Sequence, residues 1–180
     1  MGFRNSYSEA DSGNGIKPEG VYECIITKVE ERQTKSGAWG LSFSLVIRND
    51  VGQRYGNSYL FHTIWKKREP TANDLAVKGY NFGQLMAMGR AARLPDGKDY
   101  DTLEQYCGDL VKKCVRVTVK HEEWNGKPQE RVTDPQPSKY PECRHIFKTA
   151  APKTDTYAQP VPQSFADMPA EDFTDDGVPF

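Results

Sequence analysis

The chain has 180 residues, enough for one domain of ordinary size with a hydrophobic core and marginal for two. Its 24 basic and 25 acidic residues give a net charge of −1, which by itself excludes neither a nucleic acid nor a protein as partner. No apolar run is long enough to span a membrane and no basic-then-apolar leader opens the chain, so a cytoplasmic protein is predicted.

The first strands of the predicted domain follow a flexible arm. Residues 1–15 are polar and rich in Gly and Ser, which is typical of a flexible segment. Residues 20–34 are rich in β-branched side chains and predict a long strand. Residues 41–48 alternate between apolar and mostly polar side chains, which predicts a half-buried strand, and residues 54–65 predict a third.

The middle of the chain changes to a helical period. The spacing of apolar residues predicts one or two helices over 71–94 and a short helix near 100–106. Residues 112–134 then predict a β-hairpin that turns at Asn125-Gly126. Three valines alternate along its first strand and predict its buried face: Val115, Val117 and Val119.

Five strands with a helical insertion between the third and fourth predict a mainly β protein with an OB-fold. This fold is a five-stranded Greek-key barrel that binds oligonucleotides or oligosaccharides on the face of its second and third strands. Other small β-barrels with one helix would give a similar order, so the order alone does not decide. The predicted domain covers residues 16–148, and the Pro-rich, acidic residues 149–180 predict a disordered tail.

The charge is divided unevenly between these two parts. Residues 151–180 contain one basic and six acidic side chains, a net charge of −5, which leaves +4 for residues 1–150. A mildly basic body therefore carries an acidic tail.

No motif for catalysis, cofactor binding or metal binding is present, so a non-catalytic protein without a cofactor is predicted. The histidines lie apart from one another: His62, His121 and His145. The cysteines lack the paired spacing of a zinc site and are interpreted as buried, reduced thiols: Cys24, Cys107, Cys114 and Cys143.

Aromatic and basic side chains are interleaved through the predicted strands. Binding of a flexible single strand requires flat rings on which bases stack and cations that follow the phosphates. The candidate residues for binding single-stranded DNA are Lys35, Trp39, Arg48, Arg54, Tyr55, Tyr59, Phe61, Trp65, Lys66, Lys67, Arg116, Lys120, Trp124 and Lys127.

The parity of the third strand leaves two interpretations open. Tyr59, Phe61 and Trp65 alternate with Leu60 and Ile64. If the two aliphatic residues are buried, the three aromatic residues are exposed and require a partner. If the opposite parity is buried, the aromatic residues are core residues, which is common for aromatic side chains on strands.

The last residues resemble a known recruitment motif. Asp175, Asp176, Val178, Pro179 and Phe180 are similar to the acidic tip of bacterial-type single-stranded DNA-binding proteins, which reads acid-acid-apolar-Pro-Phe. Gly177 is an additional residue within this pattern. The body, with its GVY start, TKSG turn, long helical middle and GK-containing hairpin, is more similar to phage-encoded single-stranded DNA-binding proteins.

This resemblance implies an OB-fold protein that binds and protects single-stranded DNA during replication, recombination or repair in a bacterial host cell. It also implies that the tip recruits replication or recombination proteins. The candidate partner-binding residues are Asp172, Phe173, Asp175, Asp176, Pro179 and Phe180. The alternatives are a recombination mediator or strand-annealing protein, an adaptor that binds no DNA and, least favoured, an enzyme without a recognisable motif. Homo-oligomerisation is left open.

Overall fold

The structure is a computed structural model and describes residues 15–148. The first fourteen residues of the predicted arm and the whole of the predicted tail lie outside this range. The strands and helices, in chain order, are β1 (Gly20–Gln33), β2 (Trp39–Ile47), β3 (Tyr59–Trp65), α1 (Ala72–Ala76), α2 (Phe82–Ala91), α3 (Leu103–Leu110), β4 (Cys114–Trp124) and β5 (Lys127–Pro137).

The five strands form one antiparallel sheet in the order β3-β2-β1-β4-β5. All three helices come between β3 and β4 in the chain; α2 packs against β4 and β5, and α3 packs against β1. The outer strands β3 and β5 contact each other, but no hydrogen-bonded ladder joins them in residues 15–148. The protein is therefore mainly β, as predicted.

Side chains from one face of the sheet and from the helices form the hydrophobic core. The prediction for β4 is confirmed, because Val115, Val117 and Val119 are fully buried. The residues that β2 contributes are Leu41, Phe43, Leu45 and Ile47, and those from α2 and α3 include Leu85, Met88 and Leu110. Apolar burial of this kind is the main favourable term in folding.

The prediction of a half-buried β2 is wrong, because its second face is also buried. β2 lies between β1 and β3, and its two serines are flanked by longer side chains of both strands. Ser42 lies between Glu30 and Thr63, and Ser44 between Lys28 and Phe61.

Two other boundaries differ from the sequence prediction. The third strand begins at Tyr59, because Tyr55 and Asn57 have positive φ angles of 65° and 66° and belong to a turn. The short helix α3 begins after Thr102, whose hydroxyl accepts a hydrogen bond from the backbone of Gln105. The region 71–94 contains two helices, within the predicted range.

A β-bulge reverses the side-chain alternation of β1. Thr27 is the extra residue, because Ile26 and Lys28 pair with consecutive residues of β2, Leu45 and Ser44. The Thr27 hydroxyl donates to the carbonyl oxygen of Ser44 at 3.0 Å. As a result, three charged residues beyond the bulge share the outer face of the sheet: Lys28, Glu30 and Arg32.

A buried ion pair fixes the end of β2 to the segment after β5. Arg48 is fully buried, and its Nε and Nη2 donate to the Asp50 carboxylate at 2.9 and 2.6 Å. Its Nη1 donates to Ser138 Oγ at 3.2 Å and to the Tyr140 carbonyl at 2.6 Å, and Nη2 also donates to the Glu142 carbonyl at 2.6 Å. The guanidinium lowers the pKa of Asp50 to about 2.

The substitution Asp50→Asn should destabilise the fold by about 3 kcal/mol, because it leaves the buried guanidinium without its counter-charge. Since the folded pKa of Asp50 lies below its ordinary 3.8, the stability it contributes is present above pH 4 and is lost as the pH falls towards 2. Urea denaturation from pH 7 to pH 2 measures both effects.

The matched control is Asp109→Asn, which breaks the exposed pair with Lys98 and should cost 1 kcal/mol at most. Equal losses for the two variants would contradict a structural role for the buried pair.

Candidate nucleic-acid interface

The aromatic side chains of β3 face outward. Tyr59, Phe61 and Trp65 are 49%, 59% and 48% exposed, whereas Leu60 and Ile64 are fully buried. Of the two interpretations that the sequence left open, the structure therefore has the one with exposed aromatic side chains. The rings of Tyr59 and Phe61 are stacked, with centroids 6.2 Å apart and planes 13° from parallel.

Small residues of β2 lie beside these rings. Trp65 is paired with Gly40 and Phe61 with Ser44, and Ser42 lies between them on the same strand face. A Cβ atom at Gly40 would lie 2.9 Å from the Trp65 ring and 2.6 Å from Thr63 Cγ2, so only glycine fits at this position without displacing a neighbour. We call this surface the aromatic face, formed by Tyr59, Phe61 and Trp65 of β3 with Gly40, Ser42 and Ser44 of β2.

Two cations that the sequence analysis missed lie on β1, next to the aromatic face. Lys28 and Arg32 are exposed and both pair with Glu30, which lies between them. The hydrogen bonds from Lys28 and then from Arg32 lower the pKa of Glu30. Ile26 points to the core, so regular alternation along β1 would have placed Lys28 towards the core as well. The sequence does contain a signal that the alternation changes, because the apolar Val29 stands between the charged residues Lys28 and Glu30.

Trp39 and Lys66 lie outside the aromatic face. Trp39 is the first residue of β2 and lies on the same strand face as Leu41, whose side chain points to the core. The Lys66 ammonium lies 5.4 Å from the Trp39 ring centroid and 5.1 Å from that of the buried Tyr80. Such distances are those of cation–π contacts, so Lys66 links Trp39 to the margin of the core.

The remaining candidates lie on two hairpins and on β4. Lys35 lies in the turn between β1 and β2, and Trp124 is 66% exposed and paired with Lys127 at the tip of the β4–β5 hairpin. Arg116 and Lys120 lie on the outer face of β4. β1 and β4 are antiparallel and pair from Gly20–Val119 to Ile25–Cys114. The β1–β2 hairpin therefore extends beyond one end of this paired region and the β4–β5 hairpin beyond the other.

Several predicted site residues contact other residues of the protein, and of these Arg48 is buried whereas Lys67, Arg54 and Tyr55 are exposed. Arg48 does not line an open groove, because it is buried and its guanidinium is bound within the protein. Lys67 is bound to Asp74 at 2.9 Å. Tyr55 lies in the turn before β3, with the Arg54 guanidinium 6.0 Å from its ring centroid.

The six candidate partner-binding residues, Asp172, Phe173, Asp175, Asp176, Pro179 and Phe180, lie outside the described residues.

The cysteines are free thiols, but only Cys24 is buried. Cys143 is exposed, and Cys107 and Cys114 are half-buried, which corrects the prediction that all four are buried. Burial raises the pKa of Cys107 and Cys114 to about 11, so these two are protonated at neutral pH.

Within residues 15–148, no cluster of three or more His, Cys, Asp or Glu side chains is placed to bind a metal ion. In the same range, no helix is long and apolar enough to cross a membrane.

The fold and this surface define a class: a mainly β protein that exposes a row of aromatic side chains on an antiparallel sheet. The chain belongs to the family described as "Protein of unknown function (DUF669)", whose model matches residues 3–153. The match includes every strand and helix of the structure. No curated protein matches the chain.

The substitution Gly40→Ala should displace the Trp65 indole, because the new methyl group would overlap the ring. In a ¹⁵N–¹H spectrum, we expect the indole N–H signal of Trp65 to move and those of Trp39 and Trp124 to remain.

Gly52→Ala is the control, since a Cβ there meets no atom within 4 Å. An unchanged Trp65 signal in the Gly40 variant would contradict the contact.

Proposed function

We propose that this protein binds single-stranded DNA with low sequence specificity and protects it during replication, recombination or repair. The observation that carries the proposal is the outward orientation of Tyr59, Phe61 and Trp65 over buried Leu60 and Ile64. A monomer gains nothing from exposing three large rings on one strand, and rings in a row are the surface on which successive bases stack.

The proposed fold of this domain is an OB-fold. The strand order, the contact between β3 and β5 and the helices between β3 and β4 support this proposal. In an OB-fold, the face of the second and third strands binds oligonucleotides, together with the loops that join strands 1 to 2 and 4 to 5. The aromatic face lies on β2 and β3, and Lys35 and Trp124 lie in or beside those two turns.

The chemistry of the surface favours a single strand over a duplex. Stacking on a side-chain ring requires an exposed base face, which a duplex covers with its neighbouring base pairs. The cations Lys28 and Arg32 lie on β1 opposite Ser44 and Gly40 of the aromatic face, where they would contact the phosphates of a bound strand, and Lys35 lies in the turn that follows β1. Because every base has a ring face, such binding tolerates any sequence.

The proposal includes partner recruitment through the acidic residues 172–180. It rests on their resemblance to the tip of bacterial-type single-stranded DNA-binding proteins. Acidic side chains repel phosphates, so in a DNA-binding protein they serve another purpose, such as docking on a basic protein surface.

The double substitution Phe61→Ala with Trp65→Ala should weaken binding of a labelled oligo-dT by about 2 kcal/mol or more, because each stacked base contributes about 1–3 kcal/mol. Fluorescence anisotropy over a salt series measures this loss. For the wild-type protein, the logarithm of the binding constant should fall with the logarithm of the salt concentration at a slope of about −0.7 per phosphate contacted. The variant should show the same slope.

The control is Leu75→Ala, which removes an exposed apolar side chain from α1, outside the aromatic face. If wild-type protein failed to bind oligo-dT at low salt, or bound the matching duplex equally well, the proposal would be wrong.

The substitution Phe180→Ala should abolish binding to purified enzymes that bacterial-type acidic tips recruit, while the affinity for oligo-dT remains unchanged. Surface plasmon resonance with such an enzyme on the chip measures the first effect. Phe147→Ala, which removes an exposed phenylalanine of the body, is the control. Equal binding by all three proteins would contradict recruitment through the tip.

A further inference from the structure

Three strands place charged, small and aromatic side chains in register on the outer side of the sheet. The pairing of β1 with β2 and of β2 with β3 aligns them in three rows: Lys28, Ser44 and Phe61; Glu30, Ser42 and Thr63; and Arg32, Gly40 and Trp65. Neighbouring rows are two residues apart, which is about 7 Å along a strand. The first and third rows each contain a cation and an aromatic ring, and Glu30 lies in the row between them.

The two cations lie on the side of β2 opposite the rings. β1 and β3 are two strand spacings apart, about 10 Å, and in these rows β2 contributes only glycine and serine between them. The side chains of Lys28 and Arg32 are long, and they are 61% and 62% exposed. A DNA strand whose bases stack on Phe61 and Trp65 would therefore bring its phosphates to these cations.

Glu30 contacts both cations through both of its carboxylate oxygens. Oε1 accepts a hydrogen bond from Arg32 Nε at 2.5 Å and pairs with Nη2 of the same guanidinium. Oε2 pairs with the Lys28 ammonium. Hydrogen bonds from Lys28 and Arg32 lower the pKa of Glu30, so its carboxylate is charged at neutral pH.

The Glu30 carboxylate has the chemistry of a bound phosphate. Both groups present anionic oxygens that accept charge-assisted hydrogen bonds from lysine and arginine. A DNA phosphate that takes the donors now held by Glu30 must displace the carboxylate, and a phosphate that binds beside it meets a like charge. In either case, Glu30 opposes the binding of DNA by these two cations.

We infer that Glu30 occupies the phosphate-binding position of Lys28 and Arg32 in the free protein and is displaced when single-stranded DNA binds, an inference that rests on the proposed function. Glu30 cancels one of the two positive charges beside the aromatic face. Stacking on the rings therefore supplies a larger share of the affinity, and phosphate contacts a smaller one. Binding that depends less on phosphate contacts is less sensitive to salt.

The substitution Glu30→Gln keeps the size of the side chain and removes its charge. It should tighten the binding of a labelled oligo-dT by about fivefold at low salt, because two exposed ion pairs no longer compete with the phosphates. The salt dependence of the binding constant on a double-logarithmic plot should become steeper by about 0.7, because one more phosphate is neutralised. Fluorescence anisotropy over a salt series measures both effects.

Glu122→Gln is the matched control, because Glu122 is also an exposed, ion-paired acid of the sheet, bound to Arg131. It lies beyond Val119, which pairs with Gly20 at the start of β1, whereas Glu30 lies near the end of that strand. This variant has the same net charge as Glu30→Gln and should change the affinity less than about twofold, because charges at this separation are screened. Equal tightening by both variants would reflect net charge alone and would overturn the inference.

A double-mutant cycle tests whether Glu30 acts through the two cations. In a protein that carries Lys28→Gln and Arg32→Gln, adding Glu30→Gln should leave the affinity unchanged within about twofold, because no cation is freed. A gain as large as in the wild-type background would contradict displacement. Weaker binding by Glu30→Gln alone would also contradict it, because the carboxylate would then assist the cations in binding DNA.

The outcomes separate this inference from the proposed function. If the wild-type protein binds oligo-dT and Glu30→Gln changes neither the affinity nor the salt dependence, the inference is wrong and the proposed function stands. If neither protein binds oligo-dT at low salt, the proposed function is wrong, and the inference with it.

Discussion

The buried pairing of Arg48 with Asp50 is the interaction that ties the sheet to the chain that follows its last strand. Arg48 directly follows β2. Its guanidinium donates to two backbone carbonyls of the segment that follows β5. That segment then places the Lys139 N–H on Glu23. A buried charge is tolerated only when its counter-charge and its remaining hydrogen bonds are supplied, and here the chain after the last strand supplies them. Folding of the sheet and placement of this segment are therefore coupled.

The outer surface combines two kinds of chemistry. The aromatic face offers ring surfaces beside glycine and serine. A pocket at Glu23 is polar instead: its buried carboxylate accepts the backbone N–H of Lys139 and lies on β1 opposite Arg116 of β4.

Local irregularities decide which side chains reach this surface. The bulge at Thr27 turns Lys28 and Arg32 outward, towards the side of the sheet that carries the aromatic rings. Without the extra residue, the same charged side chains would point to the core, where they would be costly to bury. Gly40 has a comparable role, since the absence of a Cβ atom lets the Trp65 ring lie against β2. Each of these features adjusts one side chain within an otherwise regular antiparallel sheet.

The sequence by itself determined the mainly β class, the approximate positions of the strands and the burial of the β4 valines, because the period of a strand is visible in alternating side chains. It also narrowed the aromatic residues of β3 to two arrangements. Only the tertiary structure decided between them, because the alternation of side chains along a strand does not say which of its two faces packs against the core. It also removed Arg48 from the surface, separated Trp39 from Trp65, and brought Glu23 beside Arg116 and Lys139. These placements depend on strand register, a bulge and contacts between residues about ninety or more positions apart in the chain, which no local pattern records.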